Sequence, residues 1–310
     1  MFYVMSSDHK KVAVVTGSST GIGLETSLAL ARNGFLTCAT MRDLKKSVEM
    51  ENITREENLQ IKVFEMDVDN DNSVITAIQK IVNEYGQIDV LVNNAGYGLF
   101  GAMEDFTMDD IKKQFETNVF GVMRVIQNVL PTMRQQRGGI IINVSSMSGL
   151  AGIPSQSVYS STKFAVEGMS EALSYELEPF GIKMILIEPG VINTEFVQDL
   201  VLPSNKYGVD KKGSQINQFD EDSKETSLSF YNDTIQRFLT FYFNAMSKAP
   251  HPRVVANEII NSINMVSDES NTSNPIFRIT VGNDSKKYSK LKKELTDTEF
   301  HALLKCDLLK

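Results

Sequence analysis

Tyr159 and Lys163 stand four residues apart in the run Ser157-Val158-Tyr159-Ser160-Ser161-Thr162-Lys163, a spacing that puts both on one helical face. An ammonium beside a phenol favours phenolate, and is expected to lower the tyrosine pKa from about 10 toward working pH, where it serves as a general acid and base. The same spacing fits an amphipathic core helix with a lysine at its surface. The neighbouring segments decide between the two. An apolar run over Ile140 to Val144 leads into Ser145-Ser146-Met147-Ser148-Gly149, which brings hydroxyls to a strand end. Asn93-Asn94-Ala95-Gly96 follows the run Ile88 to Val92, and Pro189-Gly190 follows Met184 to Ile187. Open α/β sheets bind ligands in the crevice at such C-terminal strand ends, so these segments are expected to converge on one site.

A fourth strand end belongs to the same crevice. After Val12 to Val15 comes Thr16-Gly17-Ser18-Ser19-Thr20-Gly21-Ile22-Gly23, and then a helical pattern. Glycines there let the backbone turn sharply and approach a pyrophosphate, whose charge is held by amides at the helix N-terminus. The motif therefore points to a dinucleotide. Which one is decided at the end of the second strand, Ala39-Thr40-Met41-Arg42-Asp43. Neutral Met41 stands where an acidic side chain would clasp a ribose 2′-OH, and the Arg42 guanidinium suits a 2′-phosphate. Asp43 either reaches a ribose itself or pairs with Arg42. NADP(H) is the preferred cofactor on these residues, with NAD(H) the alternative.

The elements that must position these groups are short β-branched runs alternating with helical periodicity. Strands are expected at Val12 to Val15, Phe35 to Thr40, Ile61 to Met66, Ile88 to Val92, Ile140 to Val144, Met184 to Ile187 and Ile276 to Val281. Helices are expected at Gly23 to Asn33, Ser73 to Tyr85, Met108 to Arg134, Ser157 to Phe180, Thr226 to Lys248 and Arg253 to Met265. Strands with nearly continuous hydrophobicity are buried on both faces, so the chain reads as an α/β protein. It has one Rossmann-type, doubly wound, parallel seven-stranded sheet with helices on both sides. A single domain over residues 1–310 is expected, with a cofactor and catalytic core at 10–195, a substrate lid at 195–250 and a helical tail at 284–310. Between Ile187 and Ile276 the rhythm breaks, and Leu202 to Glu225 is polar and aperiodic, as a functional lid would be. The tail carries Lys286, Lys287, Lys290, Lys292 and Lys293, read as a solvated helical face.

Composition narrows the function classes. The 310 residues carry 31 Lys+Arg against 39 Asp+Glu, a net charge of -8, which argues against nucleic acid as a partner. Two cysteines, Cys38 and Cys306, support neither a disulfide framework nor a cysteine-based metal site, and no metal is expected. No apolar run approaches the roughly 20 residues needed to span a bilayer. The N-terminus has its apolar residues before its lysines, the reverse of a secretory signal. A cytoplasmic protein is expected.

Taken together, the motifs resemble the short-chain dehydrogenase/reductase family. The matching residues are Thr16 to Gly23, Asp67 after the third strand, Asn93 to Gly96, Asn118 in Thr117-Asn118-Val119-Phe120-Gly121, Ser146, Tyr159 with Lys163, and Pro189-Gly190, in family order across roughly residues 10 to 195. Within the family the look is closest to the steroid and retinoid dehydrogenase branch.

The resemblance implies a catalytic tetrad of Asn118, Ser146, Tyr159 and Lys163, with Ser146 preferred to Ser145 because it stands thirteen residues before the tyrosine. It also implies a cofactor site of Gly17, Ser19, Thr20, Gly21, Ile22, Gly23, Arg42, Asp67, Val68, Asn94, Ala95, Gly96, Tyr159, Lys163, Pro189, Gly190, Val191 and Thr194. Asp67 would accept from the adenine amino group, Asn94 to Gly96 would line the adenine ribose, and Pro189 to Thr194 would clasp the carboxamide. Asn118 would hold a water linking Lys163 to bulk. Thr20 departs from members that carry a basic residue there, which leaves Arg42 to speak for NADP(H).

The lid region holds Phe196, Tyr207, Phe219, Phe230, Tyr231, Phe238, Phe241, Tyr242 and Phe243. These suit either a roomy apolar pocket or a lid helix packing on the core, because Leu228, Tyr231, Ile235, Phe238, Leu239, Tyr242 and Met246 recur at helical spacing. The expected activity is carbonyl–alcohol interconversion on a lipophilic ketone or aldehyde, 3-oxoacyl, steroid- or retinoid-like. Two other classes compete: a catalytically silent dinucleotide-binding sensor or scaffold, and a methyltransferase. The first has no need of a complete Asn, Ser, Tyr and Lys set, and the second predicts an acidic ribose clamp and no Tyr-x-x-x-Lys. A homodimer or homotetramer is expected, built on the Met108 to Arg134 and Ser157 to Phe180 helices.

Overall fold

A computed structural model describes residues 10–207, 229–267 and 276–309 of the chain. The N-terminal segment, Phe219, Leu228 and most of the polar stretch after Tyr207 lie outside them. Seven parallel strands form one sheet: β1 (Val12–Val15), β2 (Leu36–Met41), β3 (Ile61–Glu65), β4 (Val90–Asn93), β5 (Gly139–Val144), β6 (Ile182–Pro189) and β7 (Ile276–Val281). Their order is β3-β2-β1-β4-β5-β6-β7, so the chain winds outward from β1 one way and returns from β4 the other. The crevice of such a sheet opens between β1 and β4.

Alternation along the strands feeds two cores. Val12 and Val14 of β1 pack with the helices α3 (Asp71–Tyr85) and α5 (Gly121–Gln136) and with the end of α6 (Ser157–Leu177). Ala13 and Val15 face α1 (Gly21–Arg32) and α10 (Arg253–Ser267) on the other side. Both faces are covered, which is why the strands lack polar alternation. Exposed charged positions fall on the two edge strands, Lys62 and Glu65 on β3 and Arg278 on β7.

Three expectations are corrected. The continuous helix read from Met108 to Arg134 is instead α4 (Met108–Phe115), a single π turn (Glu116–Phe120) and then α5, and Asn118 lies buried in that widened turn. A helix the periodicity missed, α2 (Val48–Glu56), follows β2; it buries only Met50, too little to leave an apolar stripe. The tail is not merely a solvated face. Its lysines sit on α11 (Asn283–Glu294), but α12 (Asp297–Leu308) buries Phe300, Leu304 and Leu308.

The lid region begins with two short helices, α7 (Phe196–Asp199) and α8 (Ser204–Tyr207), and resumes as α9 (Asn232–Met246). Its first part is docked. Val201 donates to the Gly98 carbonyl (2.9 Å) and accepts from Phe100 N–H (3.0 Å), and Tyr207 is fully buried. Asp105 pins both flanks of the polar stretch, accepting from the Tyr207 hydroxyl (2.6 Å), the Ser229 hydroxyl (2.6 Å) and the Lys206 ammonium (3.2 Å).

Burial pushes the Asp105 carboxyl up, yet those hydrogen bonds outweigh burial and hold it below the usual carboxylate range. A depressed folded pKa contributes stability above the unfolded value and loses it as pH falls through the folded one. Asp105→Ala should therefore destabilise at neutral pH by about 1–3 kcal/mol, the cost of orphaning buried donors. The loss should shrink toward acid, where the wild-type carboxyl is itself protonated. Denaturant melts of both proteins from neutral to acid pH check this, and equal stability at pH 7 would remove Asp105 as the anchor.

Candidate active site

Gly17 and Gly21 adopt φ of +64° and +57°, backbone that side chains rarely tolerate. A Cβ on Gly17 would fall 2.8 Å from Ala95 Cα, and one on Gly23 would collide with the Gly17 carbonyl. The loop is thus packed directly on the end of β4. Asn94 stitches the two together, its Nδ2 donating to the carbonyls of Thr16 and Gly17 (3.0 Å each) while the Thr16 hydroxyl accepts from the amides of Asn94 and Ala95 (2.9 Å each). Thr20 opens α1 without capping it by its side chain, and the first turn carries no acid. Its positive end is left to the cavity.

One cavity of about 750 Å³ runs from this loop across the strand ends. Of the residues expected to hold a cofactor, Gly17, Ser19, Thr20, Gly21, Ile22, Arg42, Asp67, Val68, Asn94, Ala95, Gly96, Tyr159, Lys163, Pro189, Gly190, Val191 and Thr194 all line it. Gly23 stands behind the loop as a packing residue. A narrow, glycine-lined cradle at an uncapped helix end fits a dinucleotide pyrophosphate.

At the far end of β2, Arg42, Asp43 and Lys46 share the rim. Asp43 does not take Arg42 as its partner: its carboxylate accepts from Lys45 N–H (3.0 Å), starting the 3-10 turn Leu44–Ser47. That turn presents Lys46, which sequence reasoning missed although it lies four residues after Arg42. Lys113 of α4 is a second cation on this cavity that the sequence did not flag. Asp284 of α11 is a third missed residue. It accepts from Val191 N–H (2.7 Å) and fills the space beside Gly190, which fixes the turn after β6.

Ser146, Tyr159 and Lys163 all line the cavity wall. Tyr159 and Lys163 are 8% and 7% exposed. Lys163 Nζ donates to the Val144 carbonyl (2.8 Å) and lies 5.7 Å from the centroid of the Tyr159 ring. The expected lowering of the tyrosine pKa is not what burial produces. Loss of water pushes the phenol up to about 12, with the Ser146 hydroxyl pulling it back only in part, and pulls Lys163 down to about 8, against the opposing charge of Glu167 one turn on. The same burial acts on both groups, disfavouring the charged form of each.

Asn118 is the member that the structure does not bring to the cavity. Its Nδ2 donates to the Tyr97 carbonyl (2.9 Å) and to Thr162 Oγ1 (3.2 Å), and its Oδ1 accepts from Tyr97 N–H (3.1 Å). The side chain ties α6 to the loop after β4, and so holds that loop over the site.

Beyond Tyr159 the cavity is aromatic. Phe100 and Phe196 meet the Tyr159 ring edge-on at 5.9 and 5.8 Å, and Tyr242 meets Phe100 at 5.1 Å. Phe238, Phe241 and Tyr242 of α9 line the cavity, while Ile235, Phe238, Leu239, Tyr242 and Met246 are buried against the core. Both readings of the lid helix therefore hold at once. Phe230 is fully exposed and takes no part.

A parallel dinucleotide-type sheet whose cradle opens onto a Ser–Tyr–Lys group defines a class of nucleotide-dependent oxidoreductase folds. The short chain dehydrogenase description matches residues 11–204, and the chain belongs to that family. It is 36% identical to a 3-ketodihydrosphingosine reductase of Bacteroides thetaiotaomicron over 88% of each chain. It is 41% identical to retinol dehydrogenase 8 of Bos taurus over 61% of this chain, and spans only 62% of that relative's length. The likeness to a retinoid dehydrogenase agrees with the branch the sequence resembles. Among solved structures, an actinorhodin polyketide ketoreductase variant with NADPH is 26% identical, with a TM-score of 0.69 over 89% of this chain and 97% of that one. No helix among the described residues is long and apolar enough to cross a membrane.

Proposed function

We propose that the chain is an NADP(H)-preferring oxidoreductase that interconverts a carbonyl and an alcohol on a lipophilic ketone or aldehyde. The observation that carries this reading is one continuous cavity, with the glycine cradle and the Arg42–Lys46 rim at one end and Tyr159 within an aromatic wall at the other. The similar proteins point the same way, since one is named a ketone reductase and another holds NADPH.

When bound, the nicotinamide supplies or accepts the hydride. Gly17 to Ile22 would hold its pyrophosphate, Arg42 and Lys46 a 2′-phosphate, and Pro189 to Thr194 the carboxamide. Tyr159, kept protonated by burial, donates its proton to the substrate carbonyl oxygen as negative charge develops there, and Ser146 hydrogen-bonds the same oxygen. Lys163 keeps a positive charge behind the phenol and favours the phenolate left after transfer. The aromatic wall excludes water and seats an apolar substrate body. NADPH oxidation against a panel of ketones and aldehydes, with NADH in parallel, tests the reading; no turnover of any carbonyl would reject it.

Lys163 loses its charge as pH rises through about 8. Carbonyl reduction should accordingly hold level in neutral buffer and fall tenfold per pH unit above that value. A pH profile of kcat/KM at saturating NADPH that stays flat well into alkali would count against a charged lysine.

The proposed assembly is a homodimer or homotetramer. Phe120, Phe164 and Tyr175 are exposed on the π turn and α6, as an uncovered contact face would leave them. Light scattering at micromolar concentration should give at least twice the chain mass, and a monomer would contradict it.

A further inference from the structure

We infer that α12 forms the far wall of the carbonyl pocket and that Leu308 sets the length of apolar substrate the pocket accepts. The inference rests on the carbonyl-reducing reading above and deepens it.

Several observations support it. Leu308 lines the same cavity as Tyr159, although 149 residues separate the two in the chain. Phe300, Leu304 and Leu308 recur every four residues, so one face of α12 points into the apolar cluster that holds Phe100, Tyr159, Phe238 and Tyr242. The helix is fixed at both ends. Thr296 and Glu299 cap its start reciprocally, and Asp307, beside Leu308, accepts from the Lys287 ammonium (2.6 Å) and the Tyr288 hydroxyl (3.1 Å) of α11. A wall held this way limits the cavity instead of yielding to the ligand.

The chemistry of this end selects the substrate class. Phe100, Ile153, Phe238, Tyr242 and Leu308 offer no charge, while Arg42, Lys46 and Lys113 line the same cavity as cations outside this apolar cluster. The wall fits an uncharged hydrocarbon body carrying its carbonyl at one end. A charged acyl carrier seated among Phe100, Ile153, Phe238, Tyr242 and Leu308 would meet no opposite charge from them, at a desolvation cost these side chains do not offset.

The test is kcat/KM for NADPH-dependent reduction of straight-chain alkan-2-ones of increasing length. Leu308→Ala removes three carbons from the wall and should move the preferred ketone to a longer one, with about fourfold gained per extra methylene accommodated. Leu308→Trp should move it to a shorter one. Opposite shifts from the two variants are not what mere loss of structure would give. Cys306→Ala, at an exposed position on the same helix, should leave the length preference as it is. Unchanged preference in both Leu308 variants overturns the inference.

The chain contains no tryptophan, so Leu308→Trp also introduces a sole indole reporter. Its emission should be shielded from iodide and perturbed by the longer alkan-2-ones even without turnover. If the wild-type protein reduces no ketone, the catalytic reading fails. An iodide-accessible, ketone-insensitive indole would overturn the wall itself.

Discussion

Tyr159→Phe is expected to cut carbonyl reduction by about 10²- to 10⁴-fold while dinucleotide affinity stays nearly unchanged, because only the transferable proton is removed. The setting makes the loss severe. Tyr159 is 8% exposed, its ring boxed by Phe100 and Phe196, so water has little room to take over as the acid. Lys163 donates to the Val144 carbonyl from behind the tyrosine ring, 5.7 Å from its centroid, and not from the place of the lost hydroxyl. Stopped-flow reduction of the best ketone from the panel, with NADPH titrated separately, provides the check. Retention of more than a few per cent of activity would reject Tyr159 as the proton donor.

Arg42→Ala should weaken NADPH binding roughly 10- to 100-fold and barely touch NADH. A guanidinium against a 2′-phosphate makes charge-assisted hydrogen bonds worth about 1.5–3 kcal/mol, which a 2′-OH cannot reproduce. Asp43 occupies its carboxylate on Lys45 N–H, which leaves the guanidinium beside it to face the cavity rim. Lys46 stands on the same rim, so Lys46→Ala should show a smaller loss of the same sign. Both cofactors titrated at fixed salt decide the matter. If NADPH and NADH affinities fall together, Arg42 is structural and Asp43 becomes the ribose contact.

The parallel sheet was legible because every central strand is buried twice over, and such strands announce themselves as unbroken apolar runs. The glycine turn and the Tyr159–Lys163 pair were legible for a different reason: they are local, and spacing alone sets their geometry. What the sequence hid were relations across the chain. No residue pattern marks the π turn that buries Asn118, and helix α2 covers too little core to show a stripe. The tyrosine pKa was misjudged because proximity of a lysine is visible in sequence while burial is not. Lys46 and Leu308 reach the cavity, and Asp284 the turn beside it, through a 3-10 turn or from helices beyond β7, where nothing nearby in sequence points to them.

The bond from Val191 N–H to Asp284 spans 93 positions, and the one from the Ser285 hydroxyl to the Glu188 carbonyl spans 97. Both link β6 and the turn after it to α11, so the turn proposed to clasp the carboxamide stays loose until α11 has been made and has docked. A chain emerging from the ribosome would thus have the residues of its glycine turn and β4 early but acquire a shaped carbonyl pocket only at α12. Such late, long-range closure is slow. Premature release should accordingly yield species without a shaped carbonyl pocket that expose the aromatic wall of Phe100 and Tyr242 as a sticky surface for chaperones.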